Sequence, residues 1–166
     1  MNDKYKEVRI GPKVWSIPQN WGVDSIESIC KVVTGGTPST KNNDYWNGPI
    51  KWVTPTDITS NDSIYINNSN RQITKSGLKN SSATLLPENS ILLTTRATIG
   101  ESCINAVPMA TNQGFKSLIC KDSAYHEYIY YLLHQEKQRL SVLGGGSTFK
   151  EISKKDVQNF MVLIPP

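Results

Sequence analysis

Residues 90–107, SILLTTRATIGESCINAV, decide the fold class. Two runs, 90–95 and 102–107, are dense in Ile, Leu, Val and Thr and too short for helices, while the segment between them carries Gly100 and polar residues. Short apolar runs bounded by turn residues are strands. Working outward, IKWVT (50–54), IYI (64–66), KSLIC (116–120) and FMVLI (160–164) read the same way. The turn clusters Asn47-Gly48-Pro49, Ser60-Asn61-Asp62 and Asn67-Asn68-Ser69 punctuate them. Two stretches follow the helical period instead. From Asp24 or Ser25, Ile26, Ile29, Cys30 and Val33 recur at helix spacing until Gly35-Gly36. From about Ala124 to Leu143, Ile129, Leu132, Leu133, Leu140 and Leu143 form one face, and Gly144 to Gly146 stop the run. Ser153 and Asp156 have the spacing of a capping box and predict a short third helix. With no internal repeat and no linker, residues 1–166 read as a single α+β domain. Its mixed β-sheet is expected to be curved or partly closed and flanked by a few helices.

Composition narrows the class. The 166 residues are 37% apolar and 19% charged, and Ser, Thr and Asn make up the difference. Four tryptophans and seven tyrosines demand a packed interior, so this is not a disordered chain. The net charge of +4 is too small to identify an anionic partner by itself. Cys30, Cys103 and Cys120 are far apart and lack a C-x-x-C, so they read as small core residues in a reducing compartment. The first residues have no apolar signal core, and the longest purely apolar run, Phe160 to Ile164, is too short for a bilayer. A cytoplasmic chain without a membrane partner is expected.

Enzyme chemistry finds no footing. None of the fourteen acidic residues has a lysine two positions later, the arrangement many nucleases use to hold Mg²⁺. His126 and His134 stand apart from the scattered acids. TGGTPSTKN (34–42) imitates a phosphate loop, but Thr40 occupies the place before Lys41 where a Walker motif needs glycine. No catalytic residue, metal or cofactor is expected.

What stands out are four stretches that each combine hydroxyls or amides, glycine and a cation: TGGTPSTK (34–41), TTRATIG (94–100), TNQGFK (111–116) and GGGSTFK (144–150). Such groups hold phosphate and sugar oxygens and read base edges. They are also what Gly-Thr turns of a β-rich domain look like, with Arg96 ion-paired at the surface. The triple glycine exceeds what a helix stop needs, which predicts a close approach to that backbone.

Order and spacing add a resemblance. WSIPQNW (15–21), VVTGGTPST with YWNGPIKWVTPTDIT (32–59), RQITKSGLKNSSATLLPENSILLTTRATIG (71–100), ATNQGFKSLI (110–119) and GGGSTFKEISKKDVQNFMVLIPP (144–166) together resemble the target recognition domain of type I restriction–modification specificity (S) subunits. The resemblance implies a DNA methylase specificity domain-like fold. It also implies non-catalytic binding of duplex DNA, one half of a bipartite site per domain. Its partners would be methyltransferase (M) subunits, which methylate adenine with S-adenosylmethionine, and restriction (R) subunits that cleave. Such a domain leads into a spacer helix, expected after Pro166 and absent from this sequence. Arg96, Thr98, Asn112, Gln113 and Lys116 lie in phrases expected to position the DNA backbone or keep the fold. Ser147, Thr148 and Lys150 are expected beside DNA or a partner. Base readout is expected in loops 37–48 and 56–80, from Lys41, Asn42, Asn43, Thr56, Asp57, Arg71, Gln72, Thr74 and Lys75, with Thr37 and Ser39 as further contacts. Trp46 and Trp52 are read as packing. A recognition domain of another methyltransferase or restriction system, a divergent nuclease, and a β-rich carbohydrate- or protein-binding module remain the alternatives.

Overall fold

The computed structural model describes residues 4–145 and 150–166. The chain opens with a hairpin, β1 (Tyr5–Ile10) and β2 (Lys13–Pro18). Gly11 takes φ +58 in its two-residue turn, the positive φ that tight hairpins require. Then follow β3 (Gly22–Ser25), α1 (Ile26–Ile29), β4 (Cys30–Thr34), a 3₁₀ turn (Asn43–Tyr45) and β5 (Trp46–Val53). The middle of the chain supplies α2 (Pro55–Thr59), β6 (Tyr65–Ile66), β7 (Arg71–Ile73), α3 (Lys75–Lys79), β8 (Ile91–Leu93), β9 (Ser102–Asn105), β10 (Met109–Thr111) and β11 (Lys116–Cys120). It ends with α4 (His126–Gln135), α5 (Lys137–Leu143), α6 (Lys154–Gln158) and β12 (Met161–Ile164).

Two mixed sheets dominate. The larger has the order β4-β11-β8-β9-β6, with only β6 and β9 parallel. The smaller is β10-β5-β7, with β10 parallel to β5, and the bridge Leu86↔Met109 joins it to the preceding loop. β12 pairs with β3. The α+β class is as expected, with several open sheets and no closed barrel among the described residues.

The sheets are held by three apolar layers. Because strand side chains alternate faces, Ile91 and Leu93 point into one layer and Leu92 into another, and all three are fully buried. That is why the sequence there is a continuous apolar run rather than an alternating one. The first layer packs Ile104 and Leu118 beneath α1, α4, α5 and α6. The second, with Val53, Ile58, Met109 and Phe115, lies between the sheets. The third holds Trp46, Trp52, Ile73 and Ala110 on the outer face of the small sheet. Burying each large side chain stabilises the fold by roughly 1.5–3 kcal/mol.

Two helix expectations need correction. The run from residue 24 or 25 to Val33 is helical only over Ile26–Ile29, and Cys30–Thr34 pairs residue by residue with β11. Cys30 and Val32 both face the core at period two, and the β-branched Val32-Val33-Thr34 prefers a pleat. Gly35-Gly36 therefore follows a strand. The stretch 124–143 is helical from His126 but is divided into two helices at Glu136, across which the Leu140 N–H to Glu136 carbonyl bond (3.0 Å) continues the ladder. Buried Glu136 accepts from Arg139 Nη1 at 2.7 Å. Arg139 stacks 4.3 Å over Phe160 and so docks α5 onto the start of β12. The helix at Ser153 has both halves of its capping box.

Candidate nucleic-acid interface

Topology gathers the polar stretches before any side chain is considered. Val53 pairs with Thr111 at the parallel ends of β5 and β10, and Thr34 pairs with Lys116 where β4 ends and β11 begins. β8 leaves through Thr94, bridged to Phe115. The loops after β4, β5, β8 and β10 thus emerge along one edge, around Thr111–Lys116.

Glycine makes the approach possible. A Cβ on Gly35 would sit 2.0 Å from the Asn112 carbonyl oxygen, and one on Gly36 2.2 Å from Ser82 Oγ. The Gly36 N–H donates to the Thr111 carbonyl (2.9 Å), and its own carbonyl accepts from the buried Trp52 Nε1 (2.9 Å). Thr37 Oγ1 then meets Gln113 Oε1. On the other side, the Thr95 N–H donates to the Gly114 carbonyl (2.8 Å) and the Ile152 N–H to the Thr95 carbonyl (3.1 Å). TGGT, TTRATIG, TNQGFK and the end of GGGSTFKEIS therefore form one continuous surface.

An ion cluster joins three of them. Glu151 Oε1 accepts from Arg96 Nε at 2.9 Å and lies 3.3 Å from Lys116 Nζ. Hydrogen bonding from Arg96, reinforced by Lys116, holds the Glu151 carboxyl below the usual range. The two cations differ in reach. The Lys116 side chain is 6% exposed and faces inward to Thr95 and Glu151, whereas Arg96 is 46% exposed. Arg96 can meet a ligand with its outer N–H groups, while Lys116 maintains the cluster. Next to Arg96, Ala97 takes φ +55, a left-handed conformation that costs a non-glycine residue roughly 1–2 kcal/mol and is typical of constrained sites.

The triple glycine is explained at two of its positions. A Cβ on Gly144 would lie 2.8 Å from Ile99 Cδ1, and Gly145 takes φ +71. The close neighbour is thus the TTRATIG loop itself. Exposed Lys150 and Thr98 line a cleft of about 490 Å³ there. Ser147 and Thr148 lie outside the described residues.

The readout candidates split. Arg71 lies at the same edge, opposite Trp52, with its guanidinium carbon 3.7 Å from the Trp46 ring centroid. Thr56 lies in the first turn of α2 and is exposed, as is Gln113. Gln72, on the other face of β7, sits between the Gly48 carbonyl (2.7 Å) and Lys51 Nζ (3.1 Å). A second group stands at the far end of β7. Thr74 accepts from the Gly77 N–H (3.0 Å) and donates to the Asp44 carbonyl (2.7 Å), and Asn42 Oδ1 caps the 3₁₀ turn through the Asp44 N–H (3.0 Å). Their polar atoms serve the fold, leaving Lys41, Asn43 and Lys75 exposed. Ser39 is also exposed, its Oγ facing the Lys41 N–H at 3.4 Å. Asn112 uses Oδ1 on the Gly114 N–H (2.9 Å). Asp57 is buried, with both carboxylate oxygens bonded internally. Sequence reasoning passed over Glu151, whose only signal was being the lone acid in GGGSTFKEIS. Trp46 and Trp52 pack edge to face at 5.1 Å, as their reading as core residues required.

No helix among the described residues is long and apolar enough to cross a membrane. Against known proteins, residues 18–166 match the family described as the type I restriction modification DNA specificity domain. The chain is 40% identical over 164 residues to the type I restriction enzyme MjaIX specificity subunit of Methanocaldococcus jannaschii, covering 98% of this chain and 37% of that one. It is 30% identical over 149 residues to the EcoR124I/EcoR124II specificity subunit of Escherichia coli, covering 85% and 36%. Among solved structures, the HsdS subunit from Thermoanaerobacter tengcongensis superposes with a TM-score of 0.70 at 20% identity, over 96% of this chain and 36% of that one. A chain from a type I R-M system studied for its assembly and conformational transition gives 0.74 at 20% identity, over 95% and 37%. The chain spans little more than a third of the length of the curated relatives it matches. It belongs to the type I restriction modification DNA specificity domain family.

Proposed function

We propose that residues 1–166 form one target recognition domain, which binds duplex DNA and reads one half of a bipartite site without catalysing a reaction itself. In this reading it serves M subunits, which methylate adenine from S-adenosylmethionine, and R subunits, which cleave, in the cytoplasm. The observation that carries the reading is the convergence of four hydroxyl-, amide- and glycine-rich stretches on one edge. Cations of graded exposure flank that edge. Arg96, Thr98, Gln113 and Lys150 would hold phosphates, and Thr56 and Arg71 would face the bases. Ser147 and Thr148 are proposed as contacts to the DNA backbone.

Salt titration tests it. Neutralising phosphates releases counterions, so the affinity of this chain for duplex DNA should fall steeply with salt. Arg96→Ala and Lys150→Ala should each shallow the slope by about 0.9 and weaken all sequences alike, since a phosphate contact carries no sequence information. Affinity indifferent to salt and to both substitutions would remove the DNA reading.

A further inference from the structure

Arg71 differs from every other cation on this edge. Its guanidinium carbon lies 3.7 Å from the Trp46 centroid and 5.3 Å from that of Trp52. The platform is fixed from behind. Trp46 Nε1 donates to the Ser39 carbonyl (3.1 Å), Trp52 Nε1 to the Gly36 carbonyl, and the two rings meet edge to face at 87°. Beneath them Ile73 is fully buried. Among the described residues no carboxylate lies within 4.0 Å of Arg71, and its guanidinium makes no hydrogen bond. Arg96, by contrast, is paired with Glu151. Arg71 is thus a planar donor fork, held against an aromatic ring and left without an acceptor among the described residues, at the edge where the polar loops converge.

Resting on the DNA-binding reading above, we propose that Arg71 reads a guanine in the major groove, with Trp46 as its positioning residue. A phosphate needs only a nearby charge, which a mobile lysine supplies. An immobilised fork adds geometry, and the acceptor pair it matches is O6 and N7 of guanine. Stacking on the indole also restricts the rotamers that Arg71 would otherwise lose on binding. The neighbouring Gln72 amide lies within hydrogen-bonding distance of the Gly48 carbonyl and Lys51 Nζ, which can engage its nitrogen and oxygen, so on this strand the free reading group is Arg71.

The test is selection of bound duplexes from a random library with this chain at low salt, alongside affinity measurements. The wild-type chain should enrich a motif with at least one fixed G·C pair. Arg71→Lys keeps the charge on an exposed position and should lose that preference roughly 5- to 150-fold, the other positions remaining fixed. Arg71→Ala should lose it too, with the salt slope unchanged. Trp46→Phe should retain the preference because it keeps an aromatic face, whereas Trp46→Leu should lose it. A motif that survives Arg71→Lys with every position intact overturns the inference. So does a salt slope that falls by about 0.9 in Arg71→Ala, because that signals a phosphate contact. A wild-type chain that enriches no motif and binds independently of salt overturns the DNA reading along with it.

Discussion

Asp57 offers the sharpest separation of fold from recognition. By residue type and loop position it is a base-reading candidate, yet it is 6% exposed. Its Oδ2 accepts from the Thr54 N–H (2.7 Å) and Thr54 Oγ1 (2.8 Å), and its Oδ1 accepts from the Asn70 N–H (2.8 Å). One carboxylate therefore fastens the exit of β5, the first turn of α2 and the residue that leads into β7. Asp57→Asn keeps the volume but replaces one acceptor by a donor. With its oxygen toward Thr54, the new NH₂ faces the Asn70 N–H. The loss is one charge-assisted bond, net about 1.5–3 kcal/mol, plus about 1–3 kcal/mol for stranded donors. Partial relaxation brings the total to roughly 2–4 kcal/mol. In a chain of this size each kcal/mol moves Tm by about 2–4 °C, so a fall of roughly 5–15 °C is expected. The assay is a thermal melt followed by circular dichroism, paired with DNA selection well below the lowered Tm. The recognised motif should be unchanged there. An unaltered Tm together with a changed motif would refute the assignment and return Asp57 to the DNA face.

Gly35→Ala should destabilise by about 3 kcal/mol or more, because its Cβ would meet Thr111 Oγ1 at 2.2 Å, at the buried end of β10, and the backbone oxygen of the following Asn112 at 2.0 Å. Gly145→Ala, where nothing among the described residues lies within 4 Å of the new atom, should cost only about 1 kcal/mol of left-handed strain; urea midpoints compare the two. Glu151 has a lowered folded-state pKa, so its contribution is complete above the ordinary carboxylate value and is lost as pH falls through the folded one. Glu151→Gln should therefore be less stable than wild type near neutrality, with Lys116 left uncompensated, and the two stabilities should converge as pH falls through the lowered folded-state value. Equal urea midpoints at neutral pH would show that the cluster contributes nothing.

How much of the fold could be read in advance depends on whether an element's signal is local. Ser153 and Asp156 cap α6 through each other, so spacing alone finds that helix. Ile91–Leu93 is apolar on both faces because both are covered, and a continuous run announces it. The elements that escaped have no such signature. β7 is Arg71-Gln72-Ile73, a strand only because β5 lies beside it, and β10 is Met109–Thr111, held by pairing with β5 far back in the chain. β1 was passed over because Lys6, Glu7 and Arg9 break its apolar pattern, though its partner β2 follows directly after Gly11-Pro12. β4 shows the opposite failure: Ile26, Ile29 and Cys30 keep helical spacing across the junction of α1 and β4, and Val33 continues it although it lies on the opposite strand face from Cys30 and Val32.

The site is less legible for a different reason: a polar side chain in a loop can bond outward or back into its own fold, and composition does not say which. Thr74, Asn42 and Lys116 are matched in residue type or charge by Thr56, Asn43 and Arg71, and Asp57 is as polar as any of them. The atoms of Thr74, Asn42, Asp57 and Lys116 are used by Asp44, Gly77, Thr54, Asn70 and Glu151. An edge assembled from strand ends has many backbone groups without ladder partners, and buried ones must be satisfied. A loop-rich recognition edge therefore consumes much of its own polar chemistry. On the proposed reading, what remains for DNA is the fraction that the fold holds in place without bonding to it. Arg71 meets that condition most fully, because the group that fixes it is an aromatic face, which leaves the guanidinium's in-plane donors available. A cation held by a carboxylate, as Arg96 is, has given up part of its donor set before any ligand arrives. On such an edge, a cation stacked on an aromatic ring is a better marker of base reading than a cation in an ion pair.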